Sequence, residues 1–258
     1  METYSLITGA SGGIGLDLAR LLANDKNNLV LVARNEKKLN EIKVLLEKEF
    51  GIDIKIYAYD LSVPDSTEKL FNEITKENIQ IDKLINNAGF GDFSAFAECD
   101  WPKQEMMINL NILALTKITR LFLPAMIKSG SGRILNVASV AAFMPGPLMS
   151  VYYASKSFVL SFSYAIANEL KGTGVTVTVL CPGPTKTGFV DAAALGNSKL
   201  FKIMKPVPSA TVARFAYKRF RKGRLLAVPG FMNKLMITSV RFSPRKMVTA
   251  VTRKIQEV

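Results

Sequence analysis

The sequence predicts an α/β fold in which a doubly wound parallel sheet carries helices on both faces, and three observations support this. Short β-branched runs alternate with longer amphipathic segments through the first 180 residues. Those runs are rich in apolar residues and read as buried, as strands covered on both sides must be. A glycine-rich turn links the first run directly to the first helical segment. Parallel neighbours need a crossover of a dozen or more residues, and the helical segments supply it. At 258 residues the chain suffices for one large domain, and no linker divides it into two smaller ones.

The strand candidates are, in order, "TYSLIT", "NNLVLVA", "IDIKIYAY", "IDKLIN", "GRILNVAS" and "GVTVTVL". Between them "LDLARLLAN", "EKKLNEIKVLLEKEF" and "MMINLNILALTKITRLFLPAMIK" place apolar residues at helical spacing. Gly51 follows the second of these as a left-handed cap would, and Gly130 and Gly132 close the third with Lys128 in its last turn. Pro124, inside that third pattern, predicts a kink or local irregularity. The sequence shows no internal repeat and no low-complexity stretch.

Composition removes several kinds of chemistry. The chain has no histidine, which excludes a Ser-His-Asp triad, a histidine acid or base and the usual His-containing zinc sites. No metal site is expected. Cys99 and Cys181 stand far apart without a CxxC spacing and read as buried thiols in a reducing compartment. With no uninterrupted apolar run of spanning length and no room for a cleavable signal before the first strand, the expected location is the cytoplasm. Charge is concentrated at one end: Lys199 to Val258 holds 15 Lys and Arg against one acid, a net of +14, so the first 198 residues carry −1 of the total +13.

The turn "TGASGGIG", Thr8 to Gly15, opens into the first helix. Glycines here let backbone approach a pyrophosphate, and the free N–H groups and dipole of the helix start favour its charge. A dinucleotide is therefore expected, held by Gly9, Ser11, Gly13, Ile14 and Gly15. At the end of the second strand, where an acid would bind the ribose 2′-hydroxyl of NAD, stands Arg34, with Lys37 and Lys38 behind it and no acid before Glu36. A cation there suits the 2′-phosphate of NADP. The plainer alternative is an exposed arginine at the sheet edge.

These motifs, with those that follow in order, resemble the short-chain dehydrogenase/reductase family. They are TGxxxGxG at Thr8 to Gly15, Asp60-Leu61 after the third strand, NNAG at Asn86 to Gly89, Ser139 after the fifth strand, YxxxK at Tyr152 to Lys156, and PG with a following threonine at Pro182 to Thr187. The resemblance spans roughly Thr3 to Thr187 and implies a Rossmann-like fold, a nicotinamide cofactor and hydride transfer to or from a carbonyl or alcohol. It implies a core at 1–188 that binds the dinucleotide and does the chemistry, then a substrate lid and basic extension of the same domain at 189–258. Tyr152 matches the proton-transferring tyrosine and Ser139 the serine that bonds the substrate oxygen. Asp60 and Leu61 would lie near the adenine, Asn87, Ala88 and Gly89 would run along the cofactor, and Pro182, Gly183, Thr185 and Thr187 would meet the nicotinamide end. A relay asparagine has two candidates, of which Asn111 fits the family's spacing to Leu123-Pro124 better than Asn109. Family members are commonly dimers or tetramers, which implies a homo-oligomer.

Helix geometry selects the same tyrosine. Tyr152 and Lys156 are four apart and share a face, whereas Tyr153 is turned about 100° away. A phenol ordinarily loses its proton near pH 10, and a fixed cation beside it together with a positive nicotinamide ring is expected to lower that value. Both tyrosine and lysine also belong to the cofactor set.

The substrate side reads as apolar. Phe189, Val190, Leu195, Leu200, Phe201, Ile203 and Met204 would form a lid, and Phe90, Phe93, Phe143, Met144, Leu148 and Met149 point the same way, suggesting a small apolar carbonyl or alcohol. Further on, "FMNKLMITSVRF" places Phe231, Met232, Leu235, Met236 and Val240 on a wide apolar arc opposite Lys234 and Arg241. Beside "ARFAYKRFRKGR", this helix is open to three readings: a peripheral anchor on anionic lipid, a subunit contact, or a packed helix with a solvated basic face. No motif for specific nucleic-acid recognition accompanies the charge. The expected function is an NADP-dependent carbonyl reductase. Its alternatives are a membrane-associated lipid-type reductase and a non-catalytic nucleotide-binding regulator.

Overall fold

In the computed structural model, which describes residues 2–188 and 206–256, all six strand candidates join one parallel sheet. They are β1 (Thr3–Thr8), β2 (Asn28–Ala33), β3 (Ile54–Ala58), β4 (Gln80–Asn86), β5 (Gly132–Val137) and β6 (Val175–Leu180). Two short strands, β7 (Thr185–Lys186) and β8 (Val207–Pro208), pair separately, and β9 (Leu226–Ala227) adds a seventh strand to the main sheet. The order is β3-β2-β1-β4-β5-β6-β9. Two-residue β9 was not legible in the sequence, because a run that short has no periodicity.

Each strand feeds both faces. On β2, Leu29, Leu31 and Ala33 enter one core while Val30 and Val32 enter the other. The first core is completed by α1 (Gly13–Asn24) and α2 (Glu36–Phe50) through Leu18, Leu22, Leu39 and Leu46, all essentially without exposure. The second is filled by α3 (Ser66–Lys76), by the long helical region before β5 and by α6 (Ser150–Glu169). Burial of each such side chain contributes about 1.5–3 kcal/mol. Gly51 caps α2 at φ 62° as expected; Gly130 follows the long helix at φ 65°, while Gly132 instead opens β5 against Met126.

A buried polar ladder crosses the second core. Asn86 Nδ2 donates to Thr119 Oγ1 and Asn136 Oδ1, both at 2.9 Å, and Asn136 Nδ2 donates to Ser163 Oγ at 2.9 Å. It ties β4, β5, the long helix and α6 into one register. Its Asn86 Oδ1 is buried without a hydrogen-bond partner among the described residues.

The long helix comprises α4 (Trp101–Ile108), a π-helical stretch (Asn109–Ala114) and α5 (Leu115–Lys128). The irregularity expected at Pro124 lies ten or more residues earlier, and α5 runs through Pro124 unbroken. The hydrogen bond the proline forgoes belongs to the carbonyl of exposed Arg120, which solvent can serve. Although no run in it is uninterruptedly apolar, Trp101–Lys128 is long and apolar enough to span a bilayer. Its inner face, however, packs Ala114, Ile118, Phe122 and Met126 into the second core.

After residue 206 come α7 (Ser209–Arg221), α8 (Phe231–Phe242) and α9 (Arg245–Gln256). The basic segment "ARFAYKRFRKGR" is mostly core helix: Val212, Ala213, Ala216, Tyr217 and Phe220 of α7 pack on α1, with Asp25 accepting from Tyr217 at 2.8 Å and pairing with Arg221 at 3.0 Å. By contrast, α8 buries no residue fully, and α9 turns Val248, Thr252 and Gln256 inward.

Candidate active site

Strand order reverses between β1 and β4, and the crevice beyond their C-terminal ends is where such sheets bind ligands. A cavity of about 640 Å³ occupies that position. Among the residues expected from the sequence, its wall contains Gly9, Ser11, Gly13, Ile14, Arg34, Asp60, Leu61, Asn87, Ala88, Gly89, Ser139, Tyr152, Lys156, Pro182, Gly183, Thr185 and Thr187. Gly15 and Asn111 stand just behind it. The expected lid residues between 189 and 204 lie outside the described residues.

The glycine turn has a specific shape. Gly9 (φ 65°) and Gly13 (φ 54°) adopt left-handed backbone, a Cβ on Gly13 would lie 2.8 Å from the Thr187 methyl, and a Cβ on Gly15 would strike the Gly9 carbonyl. Asn87 clamps the turn, donating from Nδ2 to the carbonyls of Thr8 and Gly9 at 3.0 and 3.1 Å. Thr8 Oγ1 in turn accepts from the backbone N–H groups of Asn87 and Ala88 at 3.0 Å. Since no side chain caps α1, its first N–H groups face the cavity, as a pyrophosphate requires. The donor set therefore fits a dinucleotide.

At the other edge of this half, Arg34 is largely exposed and lies 3.8 Å from Asp60, whose carboxylate also accepts from Ser62. Lys38, rather than Lys37, lines the cavity. Asn35 is occupied as the cap of α2, accepting from the Lys38 N–H at 2.9 Å.

The second half of the cavity holds Ser139, Tyr152 and Lys156. Ser139 follows β5 and hydrogen-bonds the Tyr152 phenol, while its Oγ accepts from the Ala141 N–H at 3.1 Å. One turn along α6, Lys156 is buried, with Nζ donating to the Val137 carbonyl at 2.9 Å and lying 5.9 Å from the Tyr152 ring centroid. Burial lowers the Lys156 amine to about 8. Burial also pushes the Tyr152 phenol above its ordinary value, against the pull of Ser139. The expected lowering rests on the lysine together with the positive nicotinamide ring; in the protein without cofactor, burial is the largest influence on this phenol and acts in the opposite direction.

Tyr153 also borders the cavity but makes different contacts. It accepts from Gln256 Nε2 of α9 at 2.5 Å, and its ring fills the space that a side chain on Gly146 would need. Asn111, on the π-helical stretch, donates from Nδ2 to the Phe90 carbonyl at 3.0 Å and to Ser155 Oγ at 3.1 Å, and Oδ1 accepts from the Phe90 N–H. A Cβ on Gly89 would sit 2.8 Å from Asn111 Oδ1 and 3.3 Å from Lys156 Nζ, so that glycine keeps the gap between them open. Asn109 is half-buried and absent from the cavity wall. Asn111 is likewise outside the cavity wall, and what sets it apart is its burial and its bonds to Phe90 and Ser155 behind Gly89.

Of the expected apolar wall, Phe90, Met144 and Met149 line the cavity, and Met236, expected on the apolar arc of the C-terminal helix, lines it too. Phe93 packs behind Tyr152 and Tyr153, and Phe143 joins the cluster of Val159 and buried Cys181. Thr252, Ile255 and Gln256 of α9 also line it, and nothing in their sequence marked them: they reach the site by helix spacing, 100 residues after Tyr152. No cluster of potential metal ligands occurs among the described residues.

Fold and cavity define a dinucleotide-binding α/β oxidoreductase. The short chain dehydrogenase family matches residues 4–196, and the chain belongs to that family. It is 35% identical over 214 residues to a ketoacyl reductase, HetN, of Nostoc sp., covering 83% of this chain and 74% of that one. It is 32% identical to the very-long-chain 3-oxoacyl-CoA reductase of Mus musculus over 80% of this chain, but over only 64% of the mouse protein. A short-chain dehydrogenase from Sphingobium yanoikuyae, solved in complex with NADPH, superposes with a TM-score of 0.85 at 29% identity, covering 99% and 98% of the two chains.

Proposed function

We propose that this oxidoreductase uses NADPH to reduce the carbonyl of an apolar, extended substrate, with Tyr152 as the proton donor. The observation that carries the reading is the meeting of Ser139, Tyr152 and Lys156 in one cavity wall, with a neutral, hydrogen-bonded phenol beside a buried amine. When bound, NADPH supplies the hydride to the carbonyl carbon. Tyr152 passes its phenolic proton to the carbonyl oxygen, so that a C=O becomes a CH–OH. Ser139 turns its hydroxyl from the phenol toward that oxygen and polarises it. Lys156, held by the Val137 carbonyl, places positive charge where phenolate forms, and Asn111 fixes the backbone of Phe90 beside Gly89.

Cofactor preference follows from the exposed pair Arg34 and Lys38, which border the cavity where a 2′-phosphate would lie. Asp60 is the acid on that edge and is held by Ser62 and Arg34. The apolar wall of Phe90, Met144, Met149, Met236 and Ile255 supports an apolar substrate, as does similarity to the mouse very-long-chain 3-oxoacyl-CoA reductase.

The test is turnover of a panel of medium-chain aldehydes and ketones with NADPH and NADH, for wild type and Tyr152→Phe. Wild type is expected to prefer NADPH, and Tyr152→Phe to lower kcat by about 10²-fold or more while still binding NADPH. If wild type binds NADPH but turns over no carbonyl, a regulatory role replaces the enzymatic one.

A further inference from the structure

The C-terminal helices present apolar side chains in two directions. On α8 the inward side is accounted for: Asn233 packs on Gly183, Met236 lines the cavity and Ile237 joins the cluster around Val159 and Cys181. The outward side would be polar on an ordinary surface helix. Instead it carries Phe231, Met232, Leu235 and Phe242, exposed by 77%, 67%, 52% and 81%. At 100° per residue these four fall within one arc of about 100°. The apolar surface expected from sequence is thus split, with Met236 and Val240 on the packed side. On α9, Met247 and Val251 are exposed as well.

Cations border this surface. Lys234 and Arg241 lie beside the α8 arc, and Arg245, Lys246 and Lys254 are exposed on α9. Residues 206–256 contain twelve Lys and Arg and no Asp or Glu. The face is therefore apolar in its middle and positive at its edge.

We propose that this face docks on an anionic lipid membrane, with Phe231, Leu235 and Phe242 entering the interface and the flanking cations meeting lipid headgroups. A helix that lies in the interface plane needs both parts. A second copy of the chain fits poorly: a symmetric pair sets the same patch on both sides and so opposes cation to cation. A nucleic acid would engage the cations but leave four large apolar side chains in water. The inner sides of α8 and α9 also wall the cavity, so an apolar carbonyl dissolved in the bilayer would enter beside the docked helices. That consequence rests on the proposed substrate class; docking itself does not.

The experiment is co-sedimentation of the full chain with vesicles of phosphatidylcholine, alone or with one-third phosphatidylserine, at low and half-molar salt. Preference for the anionic vesicles by about tenfold or more is expected, weakened by salt. Phe231→Ser with Phe242→Ser should weaken that binding by about tenfold or more, since two exposed aromatic anchors are lost. Quenching of protein fluorescence by NADPH should be unchanged in that variant, which shows the fold intact whether or not any substrate is turned over. Equal affinity for neutral and anionic vesicles, or unchanged binding by the double variant, overturns the proposal. So does a dimer that the same substitutions dissolve in a chain that ignores vesicles.

Discussion

Replacing Lys156 with methionine should abolish turnover and yet alter stability in a way that depends on pH. The folded protein holds this amine at about 8 because burial penalises its charge, whereas the unfolded chain holds it at the ordinary 10.5. A folded value below the unfolded one means that the unfolded state binds more protons between those two pH values. Wild-type stability attributable to this group therefore rises with pH across that window, and below pH 8 the buried charge costs about 3 kcal/mol. At pH 7 nearly all of that cost is present, and by pH 9.5 about 2 kcal/mol of it has been relieved. Methionine pays none of it, but leaves the Val137 carbonyl without its donor, a loss of about 1–3 kcal/mol that does not vary with pH. The stability of Lys156→Met relative to wild type should thus be about 2 kcal/mol more favourable at pH 7 than at pH 9.5. Urea unfolding of both proteins at both pH values, without cofactor, measures it, and taking the difference cancels every other titrating group. A difference that stays constant with pH would refute the burial of a titrating amine at this position.

Other consequences are more local. Tyr153→Phe removes only the bond to Gln256, so it should change KM more than kcat and lower kcat less than about tenfold, in contrast to the much larger loss for Tyr152→Phe. Steady-state kinetics on one substrate separates the two. Arg34→Asp should lower NADPH affinity by about tenfold or more and leave NADH affinity within a few fold, read by titration with each cofactor. Gly15→Ala drives a methyl group against the Gly9 carbonyl and should cost about 1–3 kcal/mol along with dinucleotide binding, seen in thermal unfolding with and without NADPH. Gly146→Ala displaces the Tyr153 ring and should resemble Tyr153→Phe in raising KM, an equivalence that fails if the loop at Gly146 moves instead.

The sequence by itself determined the six long strands of the sheet, the glycine turn and the spacing that sets Tyr152 apart from Tyr153, because each depends on near neighbours. Strand and helix periods, the Gly13 and Gly15 spacing and the four-residue step from Tyr152 to Lys156 are all local geometry. NNAG was legible as a motif but not as a device: only the folded chain shows Asn86 spent in the core ladder and Asn87 clamping the glycine turn, leaving backbone to face the cavity. Spacing alone favours Asn111 over Asn109, but its bonds to Phe90 and Ser155 are visible only in the fold, since a π-helical stretch leaves no distinct period in six residues. The upward push on the Tyr152 phenol was likewise visible only in the fold, because desolvation is a property of everything packed around a group and not of its sequence neighbours. The same holds for the C-terminal region. Its charge could be counted along the chain, but which of its apolar side chains close the cavity and which face outward was decided by how α8 lies against Gly183 and α9 against Tyr153.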